Sequence, residues 1–93
     1  MEYPKIKYVE PLNGYRLFII FENGEIKIYS IKSLLKEPAF SSLQNETLFF
    51  QAKKEENGYG IVWNDEIDIS EYEVWKNGIS VSTINKLTQK IAV

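Results

Sequence analysis

Three Asn-Gly pairs constrain this chain more than any other feature: Asn13-Gly14, Asn23-Gly24 and Asn57-Gly58. Asn and Gly both tolerate positive φ, which a two-residue type I′ hairpin turn needs at its two central positions. Read as such turns, the first two pairs join three strands at about 5–12, 15–22 and 25–29. The pairing follows from the loop length. Residue 12 faces 15, 10 faces 17, 8 faces 19 and 6 faces 21; across the second turn, 22 faces 25, 21 faces 26 and 19 faces 28. One face of this meander then gathers Ile6, Tyr8, Leu12, Tyr15, Leu17, Ile19, Phe21, Ile26 and Ile28, interrupted only by Glu10. The other carries Lys7, Val9, Arg16, Phe18, Ile20, Lys27 and Tyr29. The period of two agrees with the assumed loops, so the first face is the expected core.

Downstream, Ser30 can open a helix that Pro38 stops, leaving room for at most two turns, with Leu34 and Leu35 closing one side of the core. Residues 39–45 read as a loop or short turn held by Phe40 and Leu43. From Thr47 the chain reads as extended. Leu48 to Lys54 and Tyr59 to Trp63 form a second hairpin through Asn57-Gly58, and Ile67-Asp68-Ile69 adds a short strand. Ser70 and Glu73 have capping-box spacing, Ile69 and Val74 are placed for a hydrophobic staple, and Gly78 can end that helix. Ile84, Leu87 and Ile91 follow Ser82 at helical spacing, which predicts a short amphipathic helix that must dock to persist. The expected architecture is α+β: a three-stranded antiparallel meander, a second β-hairpin, and two or three short helices. One domain covers 1–78, and 79–93 is a tail.

Absent residues exclude more chemistry than present ones suggest. There is no cysteine and no histidine. That removes disulfides, thiolate nucleophiles, Ser-His-Asp triads and the usual zinc ligands. Eleven basic and thirteen acidic residues leave a net charge of −2, which gives no electrostatic reason to bind nucleic acid. The segment Met1 to Lys5 lacks the layout of a signal peptide, and the longest apolar run, Leu17 to Phe21, is far short of a bilayer span. The expectation is a soluble cytoplasmic domain with no cofactor, no membrane contact and no nucleic-acid contact of its own. At 93 residues its stability is marginal unless it self-associates.

Two groups of residues are candidate sites. Asp65, Glu66, Asp68, Glu71 and Glu73 are five acids with no base among them, flanked by Trp63 and Trp75. Hard cations take oxygen ligands, so Asp65, Glu66 and Asp68 offer a metal or hydrolytic alternative. The plainer reading is a turn followed by a helix start, where acids favour the dipole. Trp63 reads as core; Trp75 is balanced between core and a stacking role. The second candidate is the other sheet face, where Val9, Phe18, Ile20 and Tyr29 are too apolar for open water and Lys5, Lys7, Arg16 and Lys27 ring them. An apolar patch with a charged rim is how interaction surfaces look, and Val9, Arg16, Phe18, Ile20, Lys27 and Tyr29 are the expected partner-binding set. Cover from the tail stripe or the second hairpin is the competing expectation.

Two segments carry a family resemblance. The first is Val9-Glu10-Pro11 followed by Tyr15-Arg16-Leu17-Phe18-Ile19-Ile20-Phe21-Glu22-Asn23-Gly24; the second is Trp63-Asn64-Asp65-Glu66-Ile67-Asp68-Ile69. Over about residues 6 to 76 the chain resembles the short bacterial proteins grouped as domain of unknown function 2442. Ser30 stands where members often carry Asp, and Glu66 where the turn often contains Gly. The resemblance implies an α+β fold in bacterial cytosol. It also implies, by neighbourhood, an antitoxin-like component of a two-gene pair. Taken together, the residues and the resemblance predict a non-catalytic binding or regulatory module that works through a protein partner or a homo-oligomer.

Overall fold

In the computed structural model, which describes residues 3–82, the first two Asn-Gly turns are each one residue longer than the type I′ form. Strands β1 (Ile6–Leu12), β2 (Arg16–Phe21) and β3 (Ile26–Ser30) form the expected antiparallel meander. Leu12 pairs with Arg16, however, so Asn13, Gly14 and Tyr15 all lie in the first loop. Positive φ falls on Gly14 (81°) and Tyr15 (58°). In the second loop the Phe21 N–H bonds the Glu25 carbonyl and the Gly24 N–H bonds the Phe21 carbonyl, each at 2.9 Å. Gly24, at φ 89°, is the left-handed residue that follows a tight turn in three-residue hairpins.

One extra loop residue slips each flanking strand by one, and a slip of one exchanges the two faces of a strand. Measured against β2, both β1 and β3 are turned over. Val9, Pro11, Lys27 and Tyr29 share the inner face with Leu17, Ile19 and Phe21; Tyr8, Glu10, Leu12, Ile26 and Ile28 share the outer face with Arg16, Phe18 and Ile20. The expected core face is therefore corrected at Tyr8, Leu12, Ile26 and Ile28, and the expected partner face at Val9, Lys27 and Tyr29. Ile6 stays buried because the register shifts between Ile6 and Tyr8.

The middle of the chain is more helical than expected. Residues Lys32–Leu34 form a single 3-10 turn, with the Ser30 hydroxyl accepting the Lys32 N–H, while Leu34 and Leu35 pack against the core. Pro38 opens a second 3-10 segment, Pro38–Gln44, instead of only ending the first. The expected strand from Leu48 is replaced by α1 (Glu46–Phe49) and only then by β4 (Lys53–Lys54), because the Asn45 side chain accepts the Leu48 N–H and caps the helix. The second hairpin does form. β4 pairs with β5 (Gly60–Val62), and β5 pairs with β6 (Asp68–Ser70) as a three-stranded sheet. The Gly58 carbonyl accepts the Ile6 N–H at 2.8 Å, and a Cβ at Gly58 would lie 2.7 Å from the Ile6 carbonyl oxygen. Only glycine lets this hairpin tip approach β1.

Helix α2 (Glu71–Asn77) starts as expected, with the Ser70 side chain accepting the Glu73 N–H at 3.1 Å and Ile69 and Val74 buried together. The chain then adds β7 (Ile79–Ser80) to the open edge of β3, which gives the sheet order β1-β2-β3-β7. The expected helix at Ile84, Leu87 and Ile91 lies outside the described residues. Between the two sheets and α2, one core gathers Leu17, Ile19 and Phe21 with Phe49, Ile61, Trp63 and Val74. Among the described residues no helix is long and apolar enough to cross a membrane.

Two polar side chains on the inner face are tied to α2. Tyr29, 5% exposed, donates its hydroxyl to Glu73 Oε2 at 2.9 Å. Burial first, and that bond second, push the phenol well above the ordinary tyrosine pKa. Lys27 lays its ammonium 3.9 Å from the Trp75 ring centroid and donates to the Trp75 carbonyl. These contacts let a lysine and a tyrosine occupy what a simple pattern reserves for aliphatics.

Two outcomes follow for denaturant titrations. Val9→Lys should lose about 2 kcal/mol or more, and Tyr8→Lys, at a position 44% exposed, about 0.5 kcal/mol or less; the reverse order would require the two-residue turns. In a double-mutant cycle, Glu73→Ala should cost about 1–3 kcal/mol by stranding the Tyr29 hydroxyl, and much less in a Tyr29→Phe background.

Candidate functional site: an apolar sheet face

The corrected register builds a site from alternate residues of four strands. Glu10, Phe18, Ile28 and Ile79 stand in one row across the sheet, and Tyr8, Ile20 and Ile26 form the next. A third row, Leu12, Arg16 and Ser30, closes one end. β2 is apolar on both faces, and β3 alternates Ile26 and Ile28 outward with Lys27 and Tyr29 inward. Phe18, Ile20, Ile26 and Ile28 are each half-buried, yet none packs against the central core. Tyr8 and Ile79 are 44% and 56% exposed at opposite margins. Tyr8 donates its hydroxyl to Glu10 Oε1 at 2.6 Å along the same face, and this bond raises the phenol pKa.

The structure thus keeps Arg16, Phe18 and Ile20 of the expected partner-binding set on one surface and removes Val9, Lys27 and Tyr29 from it. Two of the four bases of the expected rim leave this face. Lys27 is under Trp75, and the Lys5 ammonium lies 4.9 Å from the Tyr59 ring centroid, on the side of the second hairpin. Arg16 remains, with its Nε donating to the Asn13 carbonyl at 3.0 Å, in the row next to that of Glu10, and Lys7 is exposed on β1. Sequence reasoning missed Tyr8, Ile26, Ile28 and Ile79. The available signal was that Asn-Gly fits a three-residue loop as well as a two-residue one.

The acidic segment has a different geometry from the one the metal alternative needs. Asp65, Glu66 and Asp68 are all exposed, and among the described residues no three His, Cys, Asp or Glu side chains converge on a common point. The Asn64 side chain accepts the N–H groups of Glu66 and Ile67, each at 2.9 Å, so this is a self-bonded turn. Trp63 is buried and donates its Nε1–H to the Phe49 carbonyl at 2.9 Å; Trp75 packs edge-on to Phe21 at 5.0 Å. Neither ring is free to stack a ligand on both faces. A separate cleft of about 390 Å³ lies between Tyr3, Lys5, Tyr59 and Glu71, where Glu71 Oε2 is buried with no hydrogen-bond partner among the described residues. Its lining holds one carboxylate, Glu71, beside Lys5 and two tyrosines.

Against known proteins, no curated protein and no solved structure matches the chain. One family does. Its match runs from the first residue of β1 to the last of β7, residues 6–80, and so takes in both sheets and α2. The chain belongs to the family described as "Protein of unknown function (DUF2442)", as the resemblance implied.

Proposed function

We propose that this chain is a non-catalytic binding module of the bacterial cytosol that acts through a protein partner or through self-association. The observation that supports the reading is the outer face: two adjacent rows, apolar but for Glu10, the first crossing four strands and the second three, on the side of the sheet away from the central core. The patch spans three inter-strand gaps, ~14 Å, and its two rows are ~7 Å apart along the strands. A helix with its side chains is about 10 Å wide, so the partner chemistry that fits is one amphipathic helix. The family's implied neighbourhood extends this to an antitoxin-like role, in which the product of the adjacent gene supplies that helix. For the hydrolytic alternative, Asp65, Glu66 and Asp68 are exposed, and among the described residues they form no group that could hold a metal ion.

Size-exclusion chromatography with light scattering, on the chain alone and with the adjacent gene's product, tests the reading. A defined complex or homo-oligomer is expected. Tyr8→Asp and Ile79→Asp lie at exposed margins, so they should weaken it at least about tenfold while leaving strand content unchanged. A chain that stays monomeric at high concentration, and never associates with its neighbour's product, would overturn it.

A further inference from the structure

We infer that Asn13 is a site of spontaneous covalent modification, deamidating through a succinimide with Gly14, and that Arg16 promotes the step. The same fold holds the chemically identical pairs Asn23-Gly24 and Asn57-Gly58 inert. The reaction consumes only water. Solvent base takes the proton of the Gly14 N–H, and the nitrogen attacks Cγ of the Asn13 side chain. A bond forms between that nitrogen and Cγ, the Cγ–Nδ2 bond breaks, and Nδ2 leaves as ammonia with a proton from water. Water then opens the ring. Attack at Cγ gives aspartate, and attack at the main-chain carbonyl gives isoaspartate. Glycine suits the second position because no side chain hinders the approach of its nitrogen.

All three pairs share this chemistry, so hydrogen bonding decides among them. At Asn23-Gly24 the Gly24 N–H donates to the Phe21 carbonyl at 2.9 Å, and Asn23 Oδ1 accepts the Glu25 N–H at 3.0 Å. Nucleophile and side chain are each tied. At Asn57-Gly58 the Gly58 N–H donates to the Glu55 carbonyl at 2.9 Å, the Asn57 N–H donates to Glu55 Oε1 at 2.9 Å, and Gly58 is buried against Ile6. Asn13 and Gly14 are both exposed. Among the described residues the Gly14 N–H has no acceptor and the Asn13 side chain makes no hydrogen bond.

Arg16 acts on the reacting peptide itself. Its Nε donates to the Asn13 carbonyl at 3.0 Å, and that carbonyl belongs to the peptide whose nitrogen attacks. Deprotonating an amide places negative charge on its oxygen, so a guanidinium bonded there favours the anion. A Cβ at Gly14 would lie 3.6 Å from the same Nε, so the cation stands beside both residues. The product adds one negative charge to a net charge of −2 and sets it in the loop with Arg16. Isoaspartate also adds a methylene to the main chain of the loop that fixes the β1 register.

Peptide mapping by mass spectrometry, on the full chain aged in neutral buffer and in concentrated urea, tests the site. In buffer Asn13 should convert several-fold faster than Asn23 and Asn57, with ammonia released and isoaspartate formed; in urea the three rates should converge. Equal rates in buffer, or a faster Asn23 or Asn57, would overturn the assignment. An order that persists unchanged in urea would also overturn it, because the fold would then not be its cause. Arg16→Gln should slow Asn13 several-fold in buffer and leave its rate in urea unchanged. Asn23 and Asn57 report on folding within the same sample, since both would accelerate if the variant unfolded. A folded variant that converts Asn13 at the native rate would refute the role of Arg16.

Discussion

The N–H of Phe21 bonds the carbonyl of Glu25, and Gly24 takes the left-handed conformation that closes the loop between them. That bond makes the second loop three residues long. It therefore decides that Tyr29 and Lys27, rather than Ile28 and Ile26, face inward. Tyr29 then meets Glu73, Lys27 meets Trp75, and α2 acquires the two contacts that seat it against β3. The first loop does the same for β1 through Gly14 and Tyr15, and Tyr15 repays its positive φ by packing edge-on to Phe49 and donating to the Gln44 carbonyl. Core, helix docking and outer surface all inherit their residues from these two turns.

Element existence was largely legible in the sequence. The meander, the hairpin at Asn57-Gly58, the strand around Asp68 and Ile69, and the Ser70 cap are all present. The register was not legible, for a physical reason. β2 reads Leu17-Phe18-Ile19-Ile20-Phe21, apolar on both faces, so it cannot say which neighbours belong with which side. A count of apolar residues then favours Tyr8, Ile26 and Ile28 over Val9, Lys27 and Tyr29, and the count misleads. Lysine and tyrosine each bring a long apolar body and a polar tip, so both can line a core when a partner meets the tip. The helical start at Asn45 was missed because Leu48-Phe49-Phe50 has strand-like composition. A capping side chain and the burial of Phe49 alone, with Phe50 exposed, override that propensity.

The candidate site was half legible for the same reason. Phe18 and Ile20 sit on the strand whose face was identified correctly relative to itself, and they remain on the surface named for them. Val9, Lys27 and Tyr29 moved to the core with their strands. The corrected face is more apolar than the expected one, because two isoleucines of β3 and Ile79 of β7 replace a lysine and a tyrosine. An extended apolar face on a small domain calls for cover. The change also takes Lys5 and Lys27 out of its supposed basic rim.

The register is open to direct measurement by nuclear Overhauser contacts between strand Cα protons in the full chain. Three-residue loops predict cross-strand contacts for Phe18 with Ile28 and for Ile20 with Ile26. Contacts for Ile19 with Ile28 and for Phe21 with Ile26 would restore the two-residue turns, return Tyr8 and Ile28 to the core, and contradict the outer face on which the functional reading stands.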